Sequence, residues 1–272
     1  MCQLLGMNCN KPASISFSFE GFCRRGGQTD EHSDGWGIAF FEDQGCRLVI
    51  DDKPSVTSPL TELVKRNPVK CCNVVAHIRK ATQGPVALEN SHPFKRELWG
   101  RSWVFAHNGH LKLFTPELSG RFQAVGATDS ERAFCYLMQS LQGRFGDTQP
   151  SAEALHAALQ ELANEISTYG VFNFLLSNGE VQFAHCSTLL HYVTRQYPFA
   201  HAQLVDCELS IDFNQHNHLD DCITVIATKP LTSNENWVAF APGELKMFQN
   251  GVVRFGVETS EKAGERQLAV AC

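Results

Sequence analysis

Residues 151–185 carry the sequence SAEALHAALQELANEISTYGVFNFLLSNGEVQFAH, in which a helical pattern gives way to a strand pattern. Apolar residues recur at helical spacing after Ser151, namely at Leu155, Ala158, Leu159, Leu162 and Ile166. Two short apolar runs follow, and Asn178–Gly179 between them is a dipeptide typical of hairpin turns. The stretch therefore predicts an amphipathic helix and then a pair of antiparallel strands.

The flanking segments extend this pattern in both directions. A second amphipathic helix is predicted after Thr128. Strand patterns occur on both sides of the two helices, at 2–7, 35–50, 72–79, 101–107, 189–194, 222–228 and around Asn250–Gly251. The polar stretch from 80 to 100 contains Gly84–Pro85 and His92–Pro93 and is predicted to be a loop. Strands, then helices, then strands indicate a layered α+β fold.

The length of 272 residues allows one large domain or two small ones. The sequence shows no repeat and no convincing linker, and the polar stretch 206–221 is the one candidate joint. We therefore expect a single domain over 1–272, with a mobile tail at about 258–272.

Composition narrows the class of function. The net charge is -6, with 23 basic against 29 acidic residues, and no basic run is longer than Arg24–Arg25. Binding to nucleic acid or to an anionic membrane surface is therefore not expected. No apolar stretch approaches the ~18 residues of a membrane span. We expect a soluble protein of the cytoplasm that acts on a small molecule.

Eleven cysteines are present, but none forms a Cys-x-x-Cys pair. A disulfide framework or a zinc site is therefore not expected, and no cofactor is implied. His216 and His218 with Asp220–Asp221 have the residue types of a metal site, but no cysteine lies nearby, so we interpret them as a solvated loop.

Cys2 is distinguished from the other cysteines by its position. Removal of Met1 would place a thiol and a free α-amine on one residue. Such an amine has a pKa of about 7.7–8.0 and can accept a proton near neutral pH, so this residue could be both nucleophile and base. The alternative is a buried thiol on the first strand.

Three further positions carry chemistry that suits an amino-acid substrate. Arg79 could bind a carboxylate with two parallel hydrogen bonds. Asn108–Gly109, expected just after a strand, could direct a side-chain amide and a backbone N–H at an oxyanion. Asp129, at a helix start, could bind an ammonium. Each has an ordinary alternative: a solvated edge arginine, a plain turn, and a capping box formed by Thr128 and Glu131.

Taken in order, these segments resemble the glutaminase domain of class II glutamine amidotransferases, members of the N-terminal nucleophile hydrolase superfamily. The resemblance rests on Cys2, HSDGWGIAFF (32–41), AHIRKATQG (76–84), NSHPF (90–94), FAHNG (105–109) and ATDSE (127–131). It implies a four-layer αββα sandwich with the active site at one edge.

The resemblance also implies a role for each residue. Cys2 resembles the family's catalytic nucleophile, and the α-amine that removal of Met1 would free resembles its general base. Arg79 resembles the residue that binds the glutamine α-carboxylate, and Thr82 lines the same pocket. Asn108–Gly109 resemble the oxyanion hole, and Asp129 resembles the anchor for the α-ammonium.

Two departures limit what the resemblance implies. The length leaves no room for the synthase domain that usually follows the glutaminase part. Lys80 stands where the sugar-amidating enzymes often have tryptophan, and Asp34–Gly35–Trp36–Gly37 is similar to the stand-alone branch of the family. That branch includes predicted amidotransferases of unknown acceptor.

The sequence thus predicts an amidohydrolase of the glutamine amidotransferase type. It would cleave glutamine through a γ-glutamyl thioester and release ammonia for a separate acceptor protein. One alternative is a stand-alone hydrolase of γ-glutamyl conjugates. The other is a catalytically silent subunit that binds glutamine or regulates a partner.

Overall fold

The computed structural model describes residues 2–43 and 45–256. The predicted tail at 258–272 and Gln44 of the first hairpin turn lie outside these residues. The α-helices of the described part are α1 Ser16–Arg24, α2 Pro59–Arg66, α3 Asp129–Phe145 and α4 Ala152–Ser167. Its strands are β1 Gln3–Ser14, β2 Trp36–Glu42, β3 Gly45–Asp51, β4 Lys70–Ile78, β5 Phe94–Leu98, β6 Arg101–Leu111, β7 Gly170–Ser177, β8 Gln182–Cys186, β9 His191–Gln196, β10 His201–Gln203, β11 Ser210–Asp212, β12 Cys222–Ala227, β13 Val238–Ala239, β14 Glu244–Gln249 and β15 Val252–Phe255.

Two large sheets form the centre of the fold. One has seven strands in the order β13-β9-β12-β1-β4-β2-β3, and the other has six in the order β15-β14-β8-β7-β6-β5. Strand β1 is central in the first sheet, where it pairs antiparallel with both β4 and β12. Strand β6 pairs antiparallel with β5 and β7 in the second sheet.

Successive side chains of each strand enter different cores, because a strand alternates its faces with a period of two. Leu4 of β1 packs between the two sheets with Val104 and Leu175 of the second sheet. Leu5 packs on the opposite face, against the layer that contains Phe19 of α1. The outer face of the six-stranded sheet packs in the same way against α3 and α4. This arrangement confirms the predicted αββα sandwich.

Three of the four described α-helices begin with a side-chain cap. The hydroxyl groups of Ser58, Thr128 and Ser151 accept hydrogen bonds from backbone N–H groups of the first turns of α2, α3 and α4. Such caps satisfy donors that have no partner within a helix. Helices α3 and α4 were predicted from their apolar spacing, whereas α1 and α2 were not predicted.

The stretch from 80 to 100 is not wholly loop, because Phe94–Leu98 forms strand β5. This strand is the edge of its sheet and carries the charged residues Lys95, Arg96 and Glu97. Charged side chains are common on edge strands, where they hinder pairing with other chains, and they obscure the apolar alternation that identifies a strand. No helix of the described residues is long and apolar enough to span a membrane.

Candidate active site

The start of β1 lies beside the end of β4, because Gln3 pairs with Ile78 in the register of the two strands. Cys2 is therefore adjacent to the backbone that follows β4. The Lys80 N–H donates to the Cys2 sulfur at 3.2 Å, and the thiol donates to the Lys80 carbonyl at 3.4 Å. Cys2 is only 8% exposed. Burial raises the pKa of its thiol, and the Lys80 N–H opposes that effect.

Arg79 is buried and holds the loop that follows it. Its guanidinium donates to the carbonyl oxygens of Gln83 at 2.9 Å, Gly84 at 3.3 Å and Pro85 at 3.0 Å. Arg79 is thus not a solvated edge arginine. Thr82 lies exposed within this same loop. Binding of a substrate carboxylate by Arg79, with Thr82 lining the pocket, stays a prediction.

Asp34 holds the same turn after β4 that contacts Cys2, and its role was not foreseen from the sequence. Its Oδ2 accepts a hydrogen bond from the Ala81 N–H at 2.8 Å, and its own N–H donates to the Arg79 carbonyl at 3.2 Å. Gly35 follows with a φ of +114°, a conformation that favours glycine. In the sequence, the motif Asp34–Gly35–Trp36–Gly37 was the one feature that could have indicated this role of Asp34.

Asn108 and Gly109 lie within β6, which continues to Leu111, so the expectation that they follow the strand was wrong. Asn-Gly usually marks a turn, but here Gly109 pairs with Phe172 of β7. A Cβ at Gly109 would collide with the carbonyl oxygen of Val171 and with the His107 ring. Close packing of the two strands therefore requires glycine at this position.

The Asn108 side chain is fully buried and extends toward the first sheet. Its Nδ2 lies 3.4 Å from the hydroxyl of Thr228, the residue that follows β12. Its Oδ1 has no hydrogen-bond partner among the described residues. The same Thr228 hydroxyl accepts from the Leu4 N–H at 2.9 Å, two residues after Cys2. The structure thus connects the candidate oxyanion residue to the strand of the candidate nucleophile.

Asp129 is the first residue of α3 and is buried. Its Oδ2 accepts from the Leu111 N–H at 2.7 Å, and Nδ1 of His110 lies 3.7 Å from the same oxygen. His110 also lies 3.3 Å from the Gln83 side chain, in the loop held by Arg79. The Asp129 carboxylate is therefore near that loop. Its binding of a substrate ammonium stays a prediction.

Thr128 caps α3 as the capping-box alternative predicts, since its hydroxyl accepts from the Glu131 N–H at 3.2 Å. The Glu131 carboxylate instead accepts from the Gly126 N–H at 2.7 Å and from Arg96. Thr128 is therefore the N-cap of α3, and the Asp129 Oδ1 accepts in addition from the Ser130 N–H of the same turn at 2.9 Å.

Buried histidines lie between β4 and β6, behind Arg79. His77 lies 3.0 Å from the His107 carbonyl oxygen, and its ring centroid is 4.2 Å from that of His92. Burial lowers the pKa of His77 to about 3, and it also lowers the pKa values of His92 and His107. These rings are therefore neutral near pH 7 and add no positive charge beside Arg79.

A cavity of about 410 Å³ lies away from Cys2, along β1. It is lined partly by His216, His218 and Asp221, the residues of the candidate metal motif. Asp220 and Asp221 form ion pairs with Lys11. Within residues 2–43 and 45–256, no group of three or more His, Cys, Asp or Glu side chains is arranged to hold a metal ion.

Comparison with known proteins gives one consistent family. A sequence model described as "Glutamine amidotransferases class-II" matches residues 1–270. A protein of Escherichia coli K12 named "Putative glutamine amidotransferase YafJ" is 50% identical over 248 residues, which cover 91% of this chain and 97% of that protein. A crystal structure described as a "predicted glutamine amidotransferase from Pseudomonas aeruginosa" is 42% identical, covers 93% of this chain and 99% of that one, and has a TM-score of 0.74.

Proposed function

The chain belongs to the class II glutamine amidotransferases, and on that premise we propose that it cleaves the side-chain amide of glutamine through a γ-glutamyl thioester on Cys2. The observation that carries the proposal is the placement of the Cys2 thiol against the Lys80 backbone, next to Arg79. The Asn108 amide is connected to the same strand through Thr228. Nucleophile, candidate carboxylate site and candidate oxyanion donor thus occupy one end of the sandwich.

Before the reaction, removal of Met1 converts the peptide nitrogen of Cys2 into a free amine. A peptide nitrogen cannot accept a proton, whereas the amine takes the thiol proton and leaves a thiolate. The thiolate attacks the amide carbon, and the Asn108 side chain and the Gly109 N–H stabilise the oxyanion that forms. The amine then passes its proton to the leaving ammonia, and water hydrolyses the thioester to glutamate.

The charged ends of the substrate require opposite charges in the pocket. Arg79 supplies the cation for the α-carboxylate, with Thr82 in the same loop, and Asp129 supplies the anion for the α-ammonium. Because Arg79 also binds the carbonyl groups of Gln83, Gly84 and Pro85, the shape of this loop depends on it. Substrate binding and loop position are therefore coupled in this proposal.

The ammonia is released to a separate acceptor protein that docks over the loop from Gln83 to Phe94. This loop presents the apolar side chains of Val86 and Leu88, which are 50% and 55% exposed. Exposed apolar groups beside a reaction site are suited to contact with a protein partner. Docking there would prevent loss of ammonia to water.

Release of glutamate and ammonia by purified, Met1-free protein tests the proposal. The substrates are glutamine and a panel of γ-glutamyl amides, each with and without cell extract. Slow glutamine hydrolysis that extract accelerates supports the amidotransferase. Fast turnover of a substituted amide, at least about 1 s⁻¹ and independent of extract, would identify a γ-glutamyl conjugate hydrolase instead. No turnover and no covalent labelling of Cys2 would leave a silent binding subunit.

A further inference from the structure

Thr228 connects the strand that begins after Cys2 to the six-stranded sheet. Its hydroxyl oxygen accepts a hydrogen bond from the Leu4 N–H at 2.9 Å, and its own N–H donates to the Leu4 carbonyl at 3.2 Å. The hydroxyl also receives the Asn108 Nδ2 group at 3.4 Å, across the boundary between the sheets. Thr228 is 1% exposed and Asn108 is 0% exposed, so bulk water does not compete for these groups.

The Thr228 hydroxyl affects the orientation of the Asn108 side chain, because a carboxamide has two chemically different ends. Its oxygen accepts hydrogen bonds and its nitrogen donates them, and rotation about the terminal bond exchanges the two. Asn108 Oδ1 has no hydrogen-bond partner among the described residues, so the contact from Nδ2 to Thr228 is the one that orients the side chain. Loss of that contact would leave both orientations accessible.

We propose that Thr228 is a positioning residue that orients the Asn108 carboxamide relative to Cys2, so that an Nδ2 hydrogen points at the developing oxyanion. The inference rests on the proposed amide cleavage. Thr228 contacts the backbone of β1 and the side chain of Asn108 at once, and therefore fixes the distance between nucleophile and oxyanion donor. Misplacement of a donor by a small distance weakens the stabilisation that acts only in the transition state.

A matched control is Thr224, which lies on β12, the strand that ends just before Thr228. Thr224 is also fully buried, and its hydroxyl lies 2.7 Å from the Gly251 carbonyl and 2.7 Å from the Thr194 hydroxyl. Thr224→Val and Thr228→Val therefore remove the same atom from the same kind of buried position. A merely structural effect of losing a buried hydroxyl from this segment of the chain should appear in both variants.

The kinetic test compares kcat and KM for glutamine in Met1-free protein. Thr228→Val should lower kcat by about tenfold or more and leave KM within about twofold, while Thr228→Ser should restore most of kcat. Thr224→Val should keep both values. In the Asn108→Ala background Thr228→Val should lower kcat no further, since the group it orients is gone. Equal losses in both backgrounds would overturn the proposal.

A second measurement does not depend on activity. The side-chain amide of Asn108 is identified in an NMR spectrum by its disappearance in Asn108→Ala. Thr228→Val should shift that signal and speed its hydrogen exchange, whereas Thr224→Val should leave it unchanged. If the wild-type protein hydrolyses no glutamine, the proposed function fails while this measurement still decides the role of Thr228. An unchanged signal in folded Thr228→Val would refute that role.

Discussion

The sulfur of Cys2 contacts both polar backbone groups of Lys80: the Lys80 N–H donates a hydrogen bond to the sulfur, and the Lys80 carbonyl oxygen accepts one from the thiol. The Lys80 side chain takes no part in this contact and pairs instead with the exposed Glu31. The position of the thiol therefore depends on the turn after β4 and not on the residue type at Lys80. Lys80→Ala should accordingly keep the reactivity of Cys2.

A glutamine-like diazoketone should label the protein once, on the N-terminal peptide. Among the cysteines that the structure describes, Cys2 is the one that lies next to Arg79 and is connected to Asn108 through Thr228, so Cys2→Ala should abolish the mass increment. Cys71→Ala and Cys222→Ala should retain it, since Cys71 lies at the start of β4, at the end of the strand away from Lys80, and Cys222 is the first residue of β12. Peptide mapping by mass spectrometry gives the result, and a label at another cysteine with Cys2 untouched would contradict the mechanism.

The reactivity of Cys2 should depend on Met1. Burial raises the pKa of this thiol, so the thiolate forms only at a pH above the ordinary range of about 8.5. In protein that retains Met1, the rate of Cys2 alkylation should rise only at high pH. Met1-free protein should react faster near neutral pH, because its amine accepts the thiol proton. Rates of iodoacetamide labelling from about pH 6 to 10 measure this difference. Identical profiles would argue against the amine as base.

Substitutions should separate binding from chemistry. Arg79→Lys and Asp129→Asn should chiefly raise KM for glutamine, because each removes a contact present in both ground and transition states. Asn108→Ala should lower kcat by about 10² to 10³, the usual effect of losing an oxyanion donor. Steady-state kinetics distinguish the two classes, and a change in KM alone for Asn108→Ala would remove its oxyanion assignment.

The fold should lose stability in mild acid. Burial lowers the pKa of His77 to about 3, so the unfolded chain binds this proton more strongly than the folded one. The stabilisation from neutral His77 is present above about pH 6.5 and is lost as pH falls below it, by up to about 1.4 kcal/mol per pH unit. His92, His107 and His185 act in the same direction, since their pKa values are also lowered.

Urea unfolding between about pH 7 and 5 tests this expectation. The free energy of unfolding should fall with pH, and His77→Gln should show a shallower slope. His201→Gln changes an exposed histidine and serves as the control. A free energy that stays constant over this interval would show that the buried rings can accept protons without unfolding.

The sequence predicted the layered fold because apolar periodicity is a local property, visible in α4 and in the β7–β8 hairpin. It failed at Phe94–Leu98, where charges of an edge strand obscure the alternation. It also placed Asn108–Gly109 after the strand and not within it, since the reason for Gly109 is a carbonyl group of Val171 more than sixty residues away. Contacts of that kind have no local signature.

In the candidate site, too, the sequence indicated some residues and gave no sign of others. Cys2, Arg79 and Asp129 belong to segments whose order along the chain suggested their chemistry. Thr228 follows an apolar run that predicts only a buried strand, and nothing near it in sequence indicates its contact with Asn108. Its role depends on how two sheets align, which no single segment encodes.

The candidate groups come from different sheets: Cys2, Arg79 and Thr228 adjoin the seven-stranded sheet, and Asn108 belongs to the six-stranded one. Apolar packing joins the two sheets, and hydrogen bonds also cross between them, from the Gln182 side chain to the Val74 carbonyl and between His77 and the His107 carbonyl. These directional contacts set the alignment of the sheets more strictly than apolar packing alone. We therefore expect turnover to depend on that alignment, because a slide of one sheet over the other by a fraction of an ångström would separate the attacking sulfur from the oxyanion donor while every residue stays folded.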